Sequence, residues 1–237
     1  ETATKYQVAI DAHEPIKATG LRRTYPNMMT REGLRGQEFN AWSAEGGNPT
    51  NHLTTVAFTR MLAGPIDYTP GVFNLMMNPY KPDNQVKHTM AHELALYVVI
   101  YGPLQMMCDL PEHAEGQPGM QWVRDVAVDW EQSKVLNGEP GDYVTIARQE
   151  RDGDRWFIGS ITDEDSRNLA LTLDFLPQGS YRMVVYQDGQ DAHWKDNPTA
   201  LEIEEREVKS GDLLDVQLAA GGGVAIMLEP LTEESSN

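Results

Sequence analysis

The chain has 237 residues, with 19 Lys and Arg against 36 Asp and Glu for a formal net charge of −17. At roughly 100–200 residues per domain the length allows one or two domains, and the charge argues against nucleic acid or an anionic membrane surface as partner, because like charges repel. The single cysteine, Cys108, excludes an internal disulfide framework and a multi-cysteine zinc site. Apolar residues make up 40% of the chain, enough for a packed core rather than a disordered segment. No apolar run approaches the roughly 18 residues of a membrane span, so no membrane insertion is expected. Glu1-Thr2-Ala3-Thr4 lacks the basic and apolar regions of a signal peptide, which implies either no leader or a chain that begins downstream of one.

From the N-terminus, Tyr6, Val8 and Ile10 alternate with polar or small residues and predict a strand ending near Ala12. A long stretch rich in Arg, Gly and Pro follows, from Lys17 to Asn48. Asn51 is placed to cap a helix from His52 to Ala63, which Gly64-Pro65 stops. Ile66–Tyr68 reads as a brief strand, Val86–Val98 as a second helix, Leu104–Cys108 as another strand and Gln117–Val126 as a last helix. Strands separated by helices predict a parallel α/β sheet or barrel.

The composition shifts at Ala127. Residues 1–127 carry 10 basic and 13 acidic groups and nine of the 11 methionines, whereas residues 128–237 carry 9 basic and 23 acidic groups. The second part holds eight β-like runs, Trp130–Leu136, Asp142–Gln149, Arg155–Ile161, Asn168–Phe175, Tyr181–Gln187, Ala200–Val208, Leu213–Leu218 and Val224–Leu228. Turn signals such as Asn137-Gly138, Asp152-Gly153 and Asp188-Gly189 separate them, as in an antiparallel sandwich whose solvated face carries the acidic groups. The low-complexity tail, Thr232–Asn237, is expected to fray.

The motifs for nucleophilic, phosphate-binding and dinucleotide chemistry are missing. His92-Glu93 begins like a zinc-protease motif, but Leu96 stands where its second histidine belongs, so His88 and His92 read as surface or capping histidines. What remains is carboxylate chemistry. His13-Glu14 sits just beyond the first strand, at the edge where parallel α/β folds carry their sites. Glu14 precedes Pro15, which biases its backbone towards extended. The long loop after it contains Glu32, Glu38 and Glu45, and loops of that length in compact domains are often functional.

Several strings run through the first part in order: His13-Glu14-Pro15, Thr19-Gly20, Arg23-Thr24-Tyr25-Pro26-Asn27, Arg35-Gly36-Gln37-Glu38, Phe58-Thr59-Arg60, Gly64-Pro65-Ile66-Asp67-Tyr68-Thr69-Pro70-Gly71 and Leu94-Ala95-Leu96-Tyr97-Val98-Val99. On these residues the chain resembles glycoside hydrolase family 97, the family of the bacterial starch-utilisation α-glucosidase. The acidic sandwich resembles that family's C-terminal domain in position and type. The resemblance implies that residues 1–127 are the C-terminal part of a catalytic (β/α)8 TIM barrel and residues 128–237 the C-terminal β-sandwich domain. A whole barrel takes roughly 250 residues, so the front of the barrel would be missing. The implied partners are an oligosaccharide substrate and the missing N-terminal part of the same enzyme, and the implied setting is periplasmic or secreted, in a bacterium.

In the family's inverting branch a glutamate follows the histidine at this strand end. Glu14 stands there, so the resemblance implies hydrolysis of α-glucosidic bonds with inversion. It makes Glu14 the general base, Glu38 the general acid, His13 a substrate contact, and Glu14, Glu32 and Glu38 ligands of Ca²⁺. The residue types suit that chemistry. An inverting hydrolase needs a protonated acid and an ionised carboxylate roughly 6.5–9.5 Å apart, and Ca²⁺ takes hard oxygen ligands. Tyr25, Trp42 and Tyr68 are further sugar-contact candidates, with core packing the plainer reading of Trp42 and Tyr68. Arg22 and Arg23 read as loop anchors paired with carboxylates. Two alternatives stand: a retaining α-galactosidase of the same family with an unusual Glu14, and a non-catalytic carbohydrate-binding or assembly module built on the sandwich.

Overall fold

Among the residues described by the computed structural model, 1–15 and 17–231, ten strands form. The tail expected to fray lies outside them. The strands are β1 (Ile10–Ala12), β2 (Met28–Arg31), β3 (Trp130–Glu139), β4 (Tyr143–Glu150), β5 (Trp156–Thr162), β6 (Arg167–Thr172), β7 (Ser180–Asp188), β8 (Leu201–Lys209), β9 (Leu213–Leu218) and β10 (Gly223–Pro230). All eight runs predicted in the second part are therefore strands. Six of them build one antiparallel sheet in the order β3-β4-β5-β10-β7-β8, and β6 pairs with β9 as a second layer.

The six-stranded sheet buries both faces at its centre, and the period-2 geometry of its strands sorts the side chains. Trp156 and Ile158 of β5, Met183 and Val185 of β7, and Val224, Ile226 and Leu228 of β10 meet Leu171, Leu214, Val216 and Leu218 from the β6–β9 layer. The alternate residues Phe157, Ile161, Val184, Tyr186, Ala225 and Met227 turn the other way, onto a core built around the helix Met90–Val99. That helix is buried along its whole length. Its approach to the sheet is close enough to require glycine. A Cβ on Gly159 would lie 2.7 Å from the Ala95 carbonyl oxygen, and one on Gly223 would lie 2.5 Å from His92 Cα. Arg148 of β4 donates to the carbonyl oxygens of Val98 (2.6 Å) and Val99 (3.4 Å), satisfying orphan acceptors at the helix C-terminus. The core around this helix thus joins residues on both sides of the composition shift at Ala127.

The first part departs from expectation. The described residues alternate strand and helix only through β1, Leu21–Thr24, β2 and Phe39–Trp42, with no further strand before β3, so the expected portion of a TIM barrel is not present as such. They are mostly antiparallel sheet with a few short helices. Among the described residues the one parallel pair is β1–β2. The predicted N-terminal strand forms only at its end, Ile10–Ala12, with a helical turn at Thr2–Lys5 ahead of it, and neither Ile66–Tyr68 nor Leu104–Cys108 forms a strand. The helix predicted over His52–Ala63 is split into His52–Val56 and a 3-10 turn, Arg60–Ala63. The second predicted helix starts later than Val86, because Thr89 caps it by accepting from the His92 N–H. Side-chain carboxylates explain much of this. Glu93 accepts the backbone N–H groups of Gly71 and Val72, and Asp109 those of Phe73 and Asn74, so these donors are satisfied without a sheet ladder. No helix among the described residues is long and apolar enough to cross a membrane.

Candidate functional site

Because β1 and β2 run parallel, their C-terminal ends lie on one edge. Glu14 follows the end of β1 and Glu32 follows the end of β2 directly, and the Glu14 N–H donates to Glu32 Oε2 at 3.2 Å. Glu14 has φ +48 rather than the extended backbone expected before proline. A left-handed conformation is costly for a residue with a Cβ and persists only where its surroundings enforce it. Gly36 gives Glu32 room, since a Cβ there would lie 3.0 Å from Glu32 Oε1.

Arg60 fixes the end of β2. Its guanidinium donates to the carbonyl oxygens of Arg31 (2.8 Å), Glu32 (3.1 Å), Gly64 (3.0 Å) and Pro65 (3.1 Å). His13 Nε2 donates to the buried Asp67 at 2.5 Å, while its Nδ1 stands 4.0 Å from Glu32 Oε2. The Asp67 hydrogen bond raises the His13 pKa above the ordinary histidine value. Burial, followed by the neighbouring Asp67, pushes Asp11 up to about 6. Asp11, His13 and Asp67 are a group of three whose candidate ligand atoms lie within 4.8 Å of one another.

Glu38 opens the short helix Phe39–Trp42, and the residue before it is held on every side. The Gln37 amide donates to Glu93 (2.9 and 3.1 Å), its carbonyl accepts from Tyr68 Oη (2.8 Å) and Asn40 (3.0 Å), and its backbone N–H donates to the Tyr68 carbonyl (3.2 Å). Each of these side chains is buried. Glu93 also pairs with His88. His88 and His92, expected at the surface, are instead buried and stacked at 4.3 Å. Burial, reinforced by His88, lowers the His92 pKa well below the ordinary value, which keeps that ring neutral.

The predicted residues converge. His13, Glu14, Glu32 and Glu38 line a single cleft of about 710 Å³, together with Arg35 and Trp42. Its volume is within the ~300–1,000 Å³ typical of small-molecule sites. Trp42 is 66% exposed, which removes the core-packing reading, whereas Tyr68 is a core residue. Tyr25 donates to Glu1, away from this cleft. Glu45 forms an exposed pair with Arg35 at 3.2 Å. Among the described residues no ion pair forms at Arg22 or Arg23; the Arg22 guanidinium packs against Gly64, where a Cβ would clash with it. Sequence reasoning missed Asp11, Arg60, Asp67 and Glu93 as supports. Arg60 and Asp67 lay in view inside the Phe58–Arg60 and Gly64–Gly71 strings, but single residues in a string carry no sign of what they touch.

Residues 129–229 match the family model described as glycosyl-hydrolase 97 C-terminal, oligomerisation, and residues 1–34 match the model of glycoside hydrolase 97. A solved family 97 enzyme from Pseudoalteromonas sp. strain K8, in complex with acarbose, superimposes with a TM-score of 0.92 at 48% identity, covering 97% of this chain and 36% of that one. A retaining α-galactosidase from Bacteroides thetaiotaomicron is 34% identical over 97% of this chain and 35% of its own length. A probable retaining α-galactosidase from Streptomyces bingchenggensis is 30% identical over 93% of this chain and 31% of its own. The chain thus spans about a third of the length of each relative. With both of its ends matched by models of one family and its fold by a structure of that family, the chain belongs to glycoside hydrolase family 97.

Proposed function

We propose that the protein hydrolyses α-glucosidic bonds in oligosaccharides with inversion at the anomeric carbon, using the cleft lined by His13, Glu14, Glu32 and Glu38. The observation that carries this is the convergence of those four residues, drawn from the ends of two strands and the loop after them, on one cavity at the C-terminal edge of a parallel strand pair. Glu38 is the general acid and gives its proton to the glycosidic oxygen as the C1–O bond breaks. Glu14 is the general base and takes a proton from the water whose oxygen forms the new C1–O bond, on the opposite face of the ring. His13, braced by Asp67, holds a substrate hydroxyl. The second product leaves as an alcohol, so the bond and proton count closes. The α-glucoside preference is supported by the 48% identical structure in complex with acarbose, an α-linked pseudo-oligosaccharide.

Three glutamates on one cleft are a hard-oxygen donor set of the kind Ca²⁺ takes, and Glu14, Glu32 and Glu38 are the residues that would hold it. Such an ion supplies positive charge that orients hydroxyls and water. We read the oligosaccharide and the remaining two-thirds of a family enzyme as the partners of this chain. The 129–229 unit is its assembly domain, in keeping with the description of its family model.

The names of the two curated relatives favour a second reading, a retaining α-galactosidase. NMR of the first-formed sugar separates them. The proposal expects β-glucose released from an α-glucoside. First-formed α-galactose from an α-galactoside, with no cleavage of the glucoside, replaces it by the second reading. In the full-length enzyme Glu14→Gln and Glu38→Gln are each expected to lower kcat by about 10²–10⁴-fold. Near-native turnover in both would remove the role assignments.

A further inference from the structure

Asp67 and Tyr68 stand side by side in the chain, are 3% and 2% exposed, and line no part of the cleft. Each holds the residue next to a candidate catalytic carboxylate. Asp67 Oδ2 accepts from His13 Nε2 at 2.5 Å, and Glu14 follows His13. Tyr68 grips Gln37 twice: its Oη donates to the Gln37 side-chain carbonyl at 2.8 Å, and its own carbonyl accepts the Gln37 N–H at 3.2 Å. Glu38 follows Gln37. Burial, followed by the nearby Glu93, raises the Tyr68 pKa well above the ordinary tyrosine value, so the hydroxyl stays a donor.

The segment that bears these two side chains is itself anchored. The Ile66 N–H donates to the Tyr101 carbonyl at 2.9 Å, just past the central helix, and the Asp67 N–H donates to the Arg31 carbonyl at 3.1 Å, at the end of β2. A Cβ on Gly102 would lie 2.6 Å from the Ile66 carbonyl oxygen, so this approach requires glycine. A few residues on, the Gly71 N–H donates to Glu93, which also holds Gln37. Hydrolysis with inversion needs its base and acid at a fixed separation of roughly 6.5–9.5 Å. The two stretches that carry them, His13-Glu14 and Gln37-Glu38, meet the same pair of consecutive residues. Successive Cα atoms are about 3.8 Å apart across a trans peptide, so the link between the two stretches is short and inextensible.

Resting on the α-glucosidase reading above, we infer that Asp67 and Tyr68 are positioning residues that set the spacing of base and acid from behind the cleft. Asp67 aligns His13 and with it Glu14; Tyr68 aligns Gln37 and with it Glu38. The two therefore act on different steps. A shift of Glu38 impairs protonation of the leaving group, whereas a shift of His13-Glu14 impairs the attack of water, which every substrate needs.

The test compares two substrates of the full-length enzyme: maltose, whose leaving sugar needs a proton, and α-glucosyl fluoride, whose leaving fluoride does not. Tyr68→Phe keeps the ring and deletes one donor. It should lower kcat on maltose by about tenfold, leave the fluoride within about threefold of native, and change KM little on either. Asp67→Ala should lower kcat/KM on both substrates alike, by about tenfold, and Asp67→Asn should recover at least about threefold of that, because its carbonyl still accepts from His13. A merely structural role would move both substrates together in Tyr68→Phe. Equal losses on the two substrates in Tyr68→Phe, native-level turnover of maltose in that variant, or native-level kcat/KM in Asp67→Ala would overturn the inference while leaving the α-glucosidase reading in place. A native enzyme inert on both substrates would instead overturn that reading, and this inference with it.

Discussion

The two halves of the molecule reach burial by different routes. In residues 128–231 regular strands turn alternate side chains to two apolar cores, one against the β6–β9 layer and one against the helix Met90–Val99. In residues 1–127 much of the chain is irregular and is held by buried polar groups, chief among them Glu93, Gln37 and Arg60. In the first arrangement shape and volume decide stability; in the second, the identity of each donor and acceptor decides it. The candidate site stands on the second kind of support. Glu38 is carried by a segment that Glu93 pins through Gln37, and Glu32 by a turn that Arg60 clamps.

Paired substitutions can break this comparison. Ile226, 1% exposed in the sheet, should lose about 2–5 kcal/mol on truncation to Ala but less than about 1.5 kcal/mol on replacement by Leu, which restores volume. Glu93→Ala strands His88, Gln37 and two backbone N–H groups and should cost about 3–5 kcal/mol. Glu93→Met fills the same space yet should cost nearly as much, because no acceptor returns. Denaturant midpoints measure all four. A Glu93→Met protein as stable as the native one would show that volume governs both regions.

This difference also explains what could be read from the sequence. Strand alternation is local and periodic, so Val224-Ala225-Ile226-Met227-Leu228 announces a strand with two faces. The capture of the Gly71 and Val72 N–H groups by Glu93, some twenty residues away, has no period, and it turns expected alternating structure into loops. The helix around His92 was visible, but its burial was not. Nothing in the spacing of His88 and His92 tells that β5 and β10 lie across it. Glu14 and Glu38 lie in the family strings and Glu32 in the loop between them, and all three line one cleft. Asp11 and Asp67 lie on chain segments that meet only in the folded protein.

Asp188 offers a second way to sharpen the contrast, because it is a buried polar support on the sheet side. It accepts from Thr89 at 2.5 Å and from the Ala219 and Gly223 N–H groups at 2.8 and 3.0 Å, tying the start of the central helix to the sheet. Burial dominates and raises its pKa to about 6. The folded state therefore binds this proton more tightly than the unfolded chain does. The corresponding stability is fully present below about pH 4 and is lost as the pH rises through about 6, a change on the order of 2–3 kcal/mol. Asp188→Asn should remove that component, so the difference between variant and native stabilities should shift in the variant's favour from pH 4 to pH 7. A difference that is flat with pH would show that Asp188 titrates alike in both states.

The smallest effect is expected at the seam between the two regions. Arg155 donates to both Glu150 oxygens, at 2.9 Å and 2.6 Å among other contacts, and also to the Asp125 carbonyl at 3.2 Å, so it joins the end of the short helix Met120–Asp125 to the sheet. The Arg155 hydrogen bonds lower the Glu150 pKa. Its contribution is therefore present above the pH at which an unfolded glutamate ionises and is lost as the pH falls through the depressed folded value. Arg155 is about a third exposed, and solvent screens the pair. A double-mutant cycle with Glu150→Gln and Arg155→Met should return a coupling of less than about 1 kcal/mol, reduced further at high salt. A coupling of several kcal/mol that is insensitive to salt would mean that the sheet, too, depends on the identity of a single polar pair.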